Sequence, residues 1–195
     1  ITMAVLTGVY VILGGYMATA INDFIQGLIM LVGIVAVIGV VLSKNGGFTE
    51  SLALLAKVED TSVTTTPGIF ASFFGPNPAD LLSVVLLTSL GTWGLPQMVQ
   101  KFYAIESEKS IHKGTIISTF FAIVVAGGCY FLGGFGRLFA TPEQVAQNGF
   151  DSIVPSMMEN LPDLLIGVVV ILVLAASMST LSSLVLASSS TLTLD

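Results

Sequence analysis

Charged residues are scarce in this sequence. Only 9% of its 195 residues are Asp, Glu, Lys or Arg, whereas 54% are hydrophobic and the mean hydropathy is +0.96. Soluble domains carry about a quarter charged residues. Because so few charges cannot cover a water-exposed surface, the composition excludes an ordinary soluble domain and predicts that lipid surrounds much of the chain.

Cysteine, histidine and basic residues are rare as well. Cys129 is the single cysteine, which excludes an internal disulfide and a cysteine metal cluster. The net charge of −6 argues against a nucleic-acid partner. The sequence has no glycine-rich phosphate loop and no His, Cys or carboxylate cluster at metal-binding spacing. Asp23 alone does not supply the convergent groups of a membrane enzyme, so we expect neither an enzyme nor a bound cofactor.

Long charge-free stretches predict an all-α, polytopic transmembrane helix bundle. About 20 apolar residues cross the roughly 30 Å of hydrocarbon, and no stretch alternates as a barrel strand does. Lysines concentrate in residues 101–113, which predicts that this connection is cytoplasmic and that the acidic loops are external. The predicted spans are 1–19, 23–43, 81–102, 113–136 and 163–192, with external loops 44–80 and 137–162 and a cytoplasmic loop 103–112.

The first two predicted spans follow each other with almost no connection. We therefore predict a cytoplasmic turn at Asn22 and Asp23, either of which can act as the N-cap of the second helix. The sequence begins inside an apolar run at Ile1 and ends just after another at Asp195. We interpret it as a single transmembrane domain, residues 1–195, that is an internal piece of a longer chain.

The second external loop contains signals for short helices. Thr141 followed by Pro142 and Glu143 is typical of an N-cap, a proline at the first helical position and an acid in the first turn. A second short helix is predicted near residues 152–160. We expect both to lie outside the membrane.

The last predicted span is rich in hydroxyl groups. Ser179, Thr180 and Ser183 are spaced at i, i+1 and i+4, with Ala176 three residues before Ser179, which places them on one side of a helix. Sodium is a hard cation that prefers oxygen ligands, so two hydroxyls and a freed backbone carbonyl can bind it there. Serine and threonine in membrane helices also bond carbonyls of their own helix or permit close packing, so the spacing leaves both alternatives open.

The third predicted span contains residues that weaken helices. Gly91, Gly94 and Pro96 lie inside it, and proline removes an intrahelical hydrogen bond. The pattern predicts either an interrupted helix whose freed backbone groups line a cavity or a simple proline kink packed against neighbours. Trp93, the only tryptophan, lies near the middle of this span, which argues against a place in an interfacial aromatic belt.

Three motifs carry a resemblance to a known family of membrane proteins. The first is residues 14–16, Gly-Gly-Tyr, with 22–26, Asn-Asp-Phe-Ile-Gln; the second is residues 93–104, beginning Trp-Gly-Leu-Pro-Gln and continuing to Lys-Phe and Ala. The third is residues 175–183, Ala-Ala-Ser-Met-Ser-Thr-Leu-Ser-Ser, with an aspartate beyond the helix. In this order they resemble the junction of core helices four and five, the sixth core helix with the loop after it, and the eighth core helix of the sodium:solute symporter family, which includes the proline, pantothenate and sodium/glucose carriers.

The resemblance implies a fold and an activity. The fold is the LeuT-type inverted repeat of five plus five helices, of which this chain resembles helices four to eight. The activity is sodium-coupled symport of a small organic solute across the plasma membrane by alternating access, with sodium as the coupling ion and no other cofactor. The expected partners are an amino acid, vitamin, sugar or organic acid as solute, sodium, the lipid bilayer and the remaining helices of the longer chain.

The resemblance also assigns roles to individual residues. Asp23 is expected to face Thr180 and Ser183 and to help the cation leave toward the cytoplasm, while Ser179 and Thr180 face the protein interior. The implied sodium ligands are Ala176, Ser179, Thr180, Ser183 and Asp23.

For the solute, Trp93 is expected to line the cavity, where its rigid ring stacks on the solute or gates it. Thr92 and Gln97 are the polar neighbours expected to hydrogen-bond the solute. The alternative to a transporter is a membrane structural or channel-like subunit whose Ser-rich helix is a packing interface.

Overall fold

A computed structural model of the chain consists of helices joined by turns, and the residues it describes contain no strand. It describes residues 2–61, 63–103, 105, 107–159 and 161–194, so Ser62, Ala104, Glu106, Asn160 and the two terminal residues lie outside the described part. The all-α prediction is confirmed for the described residues. The helices are α1 (Thr2–Lys44), α2 (Phe48–Leu55), α3 (Pro78–Gly91), α4 (Pro96–Tyr103), α5 (Glu108–Gly134), α6 (Pro142–Asn148), α7 (Ile153–Glu159) and α8 (Asp163–Leu194).

Length and hydropathy identify the helices that can cross a membrane. Among the described residues these are Thr2–Lys44, Glu108–Leu138 and Asp163–Thr193. Pro78–Gly94 and Pro96–Tyr103 together form a fourth candidate, with a bend of 59° between the two parts. The last three candidates correspond to the three C-terminal predicted spans.

The helix α1 takes the place of the first two predicted spans. Its backbone leaves the helical region at Gly15 (φ 56°, ψ −152°), whereas Asn22 and Asp23 are helical, so the turn predicted at Asn22 and Asp23 is wrong. The physical reason lies in the glycine pair. The Gly15 conformation is one that residues with a side chain rarely adopt, and a Cβ added to Gly14 would collide with Ala18.

The interrupted span is confirmed as a true break rather than a smooth kink. A 3₁₀ turn, Thr92–Gly94, follows α3, and Leu95 is extended (φ −74°, ψ 122°) before Pro96 begins α4. An extended residue before proline is expected, because the proline ring disfavours helical geometry at the preceding position. The break gives α3 and α4 different directions and leaves α3 without a buried residue.

Close packing of α8 and α5 against α1 forms the centre of the molecule. A Cβ on Gly33 of α1 would lie 2.7 Å from a Leu172 methyl, and one on Gly128 of α5 would lie 2.9 Å from Ile34. Glycine therefore allows these helices to approach closely, as is common in membrane proteins. The buried core at the Lys44 end of α1 consists of Val37, Val41, Met157 and Leu161.

The two long predicted external loops meet at one end of this bundle. Arg137, just after α5, donates a hydrogen bond to the Asp60 carboxylate at 2.6 Å, and its guanidinium carbon lies 4.2 Å from the centre of the Phe70 ring. Both loops therefore meet at the same end of the bundle, and their place outside the membrane stays a prediction.

The short helices predicted in the second loop are present. Thr141 caps α6 in a reciprocal arrangement in which its hydroxyl accepts from the Gln144 amide and the Gln144 side chain accepts from the Thr141 amide. The second short helix, predicted near residues 152–160, is present as α7 (Ile153–Glu159). The prediction that both lie outside the membrane is not tested by these contacts.

Candidate ion and solute site

A polar pocket of about 210 Å³ lies between α1, α4 and α8. The helix α1 contributes four residues, and α4 and α8 contribute two each, spaced so that a helix places them on the same face. Because α1 contributes a carboxylate, α4 an ammonium and α8 a hydroxyl, the pocket combines groups that suit a small charged ligand. The lining residues are Tyr16, Thr19, Ala20 and Asp23 from α1, Gln97 and Lys101 from α4, and Ser183 and Leu186 from α8.

The carboxylate of Asp23 is the only anionic group that lines this pocket. Its side chain is 19% exposed, and its Oδ2 atom lies 3.5 Å from the Lys101 ammonium nitrogen. Its Oδ1 atom is buried and has no hydrogen-bond partner. A carboxylate oxygen in that condition is an unfilled acceptor, and leaving a charged group unpaired costs more than leaving a neutral one.

A polar stripe continues along α1 from this carboxylate. Thr19 lies four residues before Asp23 and Gln26 three residues after it, and both are buried. The Thr19 hydroxyl donates to the Gly15 carbonyl at 2.9 Å, whereas the Gln26 carboxamide oxygen has no partner. The non-helical residue Gly15 thus accepts a hydrogen bond from a side chain that lines the pocket.

The hydroxyls of α8 divide between two faces of the helix. Ser183 is buried and lines the pocket with Asp23, while Ser179 is half-buried. Thr180 is exposed and lines an open groove with Ala176 instead. Asp23 and Ser183 therefore line one pocket, whereas Thr180 and Ala176 do not line it.

The predicted free carbonyl at Ala176 is not found. The helix α8 continues through this residue, and the Thr180 hydroxyl donates to the Ala176 carbonyl at 3.0 Å. This bond has a further consequence for Thr180: its proton points back into the helix, so the oxygen lone pairs face outward. That is the orientation a hydroxyl needs when it binds a cation.

The predicted solute residues are only partly assembled. Gln97 lines the polar pocket and also a second groove that α4 forms with the end of α8. Trp93 is 77% exposed, and the exposed Thr92 hydroxyl donates to the Ser89 carbonyl at 3.3 Å. Neither Thr92 nor Trp93 lines the pocket that Gln97 lines.

The sequence profile of the sodium:solute symporter family matches the chain over residues 1–195. The chain belongs to this family. A member of the symporter family is a multi-pass integral membrane protein and a transporter rather than an enzyme, which agrees with the apolar helices and with the expectations from the sequence.

Individual relatives of this symporter-family chain include carriers of different solutes. It is 28% identical over 193 residues to the sodium/pantothenate symporter of Haemophilus influenzae, covering 96% of this chain and 37% of the relative. It is 29% identical over 195 residues to the high-affinity proline transporter of Bacillus subtilis (98% and 40%). It is 31% identical over 190 residues to the sodium/proline symporter of Staphylococcus aureus (95% and 35%).

The chain thus spans well under half the length of these curated relatives, at 37% and 40% of the first two named. No solved structure matches the chain. The family assignment therefore rests on the sequence profile and the relatives.

Sequence reasoning assigns no site role to several residues of the pocket, of which Lys101 is the charged one. In the sequence, Lys101 belongs to the lysine-rich connection that sets topology and to the motif that resembles the sixth core helix. Its spacing of four residues from Gln97 was an available signal, since it places both side chains on one face of α4. Its contact with Asp23, 78 positions away in the sequence, gave no local signal.

The donor set favours a hard monovalent cation over a transition metal. Across the described part of the chain, no group of three His, Cys, Asp or Glu side chains could hold a metal ion. The pocket offers hydroxyl, carboxamide and carboxylate oxygens, which hard cations prefer. The pocket holds one carboxylate, that of Asp23, and one ammonium, that of Lys101.

Proposed function

We propose that the full-length protein containing this chain is a sodium-coupled symporter of a small organic solute in the plasma membrane. It works by alternating access and involves no covalent chemistry. The observation that carries the proposal is the pocket in which Asp23, Ser183 and Gln97 meet, within a chain of the symporter family. A LeuT-type inverted repeat, with residues 101–113 in the cytoplasm, is the architecture we propose for the whole protein.

The proposed sodium ligands form two groups. Asp23 and Ser183 lie in the pocket, with the half-buried Ser179 one turn before Ser183. Ala176 and Thr180 lie on the neighbouring open groove, where the Thr180 lone pairs face outward. A sodium ion needs more oxygen ligands than either group supplies, so helices outside this chain complete the coordination. In this proposal sodium binds on the Thr180 side and leaves past Asp23.

The proposed solute site is built from Thr92, Trp93 and Gln97 around the break between α3 and α4. A broken helix at the membrane midplane is where transporters of this architecture bind solutes, because the break frees backbone polar groups. The relatives named above carry pantothenate and proline. Both solutes bear a carboxylate and hydrogen-bonding groups, and they are the first candidates to test.

The coupling in this proposal is an exchange of binding free energy. Sodium stabilises a conformer that holds the solute better, and the solute must then raise sodium affinity by the same factor. Gln97 is well placed for this linkage because it lies in the pocket with Asp23 and on the helix that begins at the break.

Uptake into proteoliposomes containing the purified full-length protein tests the proposal. Labelled proline and pantothenate are supplied with an inward sodium gradient, and matched vesicles receive choline in place of sodium. We expect one of the solutes to accumulate only with the sodium gradient and to leak out when the gradient is dissipated. Sodium flux that neither solute alters, together with no sodium-dependent solute uptake, would support the channel-like subunit instead.

A further inference from the structure

The ammonium of Lys101 lies beside the Asp23 carboxylate. The Lys101 nitrogen lies 3.5 Å from the Asp23 carboxylate, and the lysine side chain is 49% exposed whereas the aspartate is 19% exposed. Lys101 is in the last turn of α4, at the edge of the pocket, so its long stem reaches inward from a position open to solvent. The two charges come from different helices and are not a local pair.

The rest of the pocket presents oxygen atoms without a second cation. Thr19 turns its proton toward the Gly15 carbonyl, and Asp23 keeps one buried oxygen without a partner. Among the residues that line the pocket, Lys101 is the only positively charged one. The pocket holds one carboxylate, which one monovalent cation neutralises, and the lysine supplies that charge here.

We propose that Lys101 is a tethered competitor of the transported cation at Asp23. This inference rests on the proposed function and adds a residue to it. When sodium reaches Asp23, the Lys101 ammonium moves out into solvent; when sodium leaves toward the cytoplasm, the ammonium returns and neutralises the carboxylate. The exchange keeps Asp23 paired at every stage, and it speeds release because the returning charge displaces the ion.

A purely structural ion pair makes the opposite prediction for sodium. If the pair only held α1 and α4 together, removing the lysine charge would loosen the pocket and weaken sodium binding. If the lysine competes, removing its charge must strengthen apparent sodium binding, because the ion no longer has to displace a resident cation. The sign of the change therefore separates the two roles.

The test measures sodium dependence in the full-length protein carrying Lys101→Gln. Glutamine keeps much of the length and hydrogen-bonding capacity of the lysine but removes its charge. The matched control is Lys109→Gln, which removes an exposed lysine on α5 outside the pocket. Two readouts are taken for each protein: the sodium concentration that half-saturates solute uptake, and the one that half-saturates sodium-induced thermal stabilisation of the purified protein.

We expect Lys101→Gln to lower both half-saturating sodium concentrations by roughly two- to fivefold, the range of a partly exposed ion pair. Sodium release into the vesicle lumen should become slower. Lys101→Arg, which keeps the charge, should leave sodium affinity at or below the parent level, and Lys109→Gln should leave it unchanged. Sodium affinity that falls in Lys101→Gln, or that rises equally in Lys109→Gln, overturns the proposal.

A double-mutant comparison ties the effect to Asp23. In an Asp23→Asn background the ammonium has no carboxylate to occupy, so Lys101→Gln should no longer change the sodium dependence of thermal stabilisation. The same shift in both backgrounds would show that the lysine acts elsewhere. If the unmutated protein shows no sodium dependence in either readout, the proposed function itself fails, and this outcome is distinct from a failure of the tether.

Discussion

Arg137 and Asp60 form a short ion pair between the two loops at one end of the bundle. The Arg137 side chain is 36% exposed, the Asp60 side chain is 8% exposed, and the distance between the paired atoms is 2.6 Å. The Phe70 ring lies against the guanidinium. The pair therefore joins two loops that are far apart in the sequence, and its loss should lower the stability of the protein.

Replacing this arginine should destabilise the protein. Arg137→Gln leaves the buried Asp60 carboxylate without its guanidinium, which we expect to lower the free energy of unfolding by about 1–3 kcal/mol. Thermal unfolding of the detergent-solubilised full-length protein measures the change. Lys57→Gln in the same loop removes an exposed lysine and should stay within about 0.5 kcal/mol of the parent. Equal unfolding midpoints of Arg137→Gln and Lys57→Gln would show that the Arg137–Asp60 pair does not stabilise the protein.

The break in α1 predicts an intolerance for side chains at Gly15. At φ 56° and ψ −152° any other residue is strained, so Gly15→Ala should lower the free energy of unfolding by about 1–3 kcal/mol. The matched control is Gly39→Ala in the same helix, where an added Cβ meets nothing within 4 Å. Alanine favours helix there and should be neutral or stabilising by up to about 1 kcal/mol. Thermal unfolding compares the two, and a tolerated Gly15→Ala would argue for a straight α1.

The helix α1 and the break before Pro96 show which backbone features the sequence can predict and which it cannot. The polar pair Asn22 and Asp23 between apolar runs predicts a turn, but both residues are helical, and Lys101 of α4 pairs with one oxygen of the Asp23 carboxylate. The partner of a buried charge lies elsewhere in the chain and cannot be found from local pattern. At Pro96 the outcome was different: glycine and proline act on their own backbone, so the interruption could be predicted.

The same limit applies to the proposed sodium ligands. Residues that follow each other in a helix point about 100° apart, so Ser179 and Thr180 cannot both face one narrow pocket. The spacing of Ala176, Ser179, Thr180 and Ser183 predicts only that they share one broad side of α8. In the structure, Ser183 on that side lines the buried pocket, whereas Ala176 and Thr180 line an open groove. Only the packing of α1 and α4 decides which hydroxyl faces which space.

The proposed roles of Thr180 and Trp93 can be separated by titration. In the full-length protein, Thr180→Ala removes one hydroxyl ligand and should weaken apparent sodium affinity by roughly 5- to 150-fold, the equivalent of about 1–3 kcal/mol. Trp93→Ala removes an aromatic ring that has no oxygen ligand, so it should chiefly weaken solute binding. Because the two sites are linked, each variant should also show a smaller effect on the other ligand.

Uptake measured against sodium at fixed solute, and against solute at saturating sodium, gives the two half-saturation values. Ser177→Ala is a control for Thr180→Ala, because the Ser177 hydroxyl lines the same groove and also donates to its own helix. An unchanged sodium response in Thr180→Ala, with a strong shift in Trp93→Ala, would reverse the assignment.

The predicted orientation rests on the lysines near the start of α5. We expect Lys109 and Lys113 to be cytoplasmic. Single cysteines at these positions, in a background with Cys129 replaced by serine, should react with a membrane-impermeant maleimide only after cells are permeabilised. A cysteine at Lys57, in the loop predicted to be external, should react in intact cells. Labelling of positions 109 and 113 from outside would invert the topology.

The 59° break between α3 and α4 gives the protein a short rigid arm. Gln97 and Lys101 lie one turn apart on α4, and the extended residue Leu95 forms its pivot. In the proposed mechanism, any rotation about this pivot carries the solute-binding carboxamide and the competing ammonium together. Opening toward the cytoplasm would then release the solute and the ion in the same movement of α4.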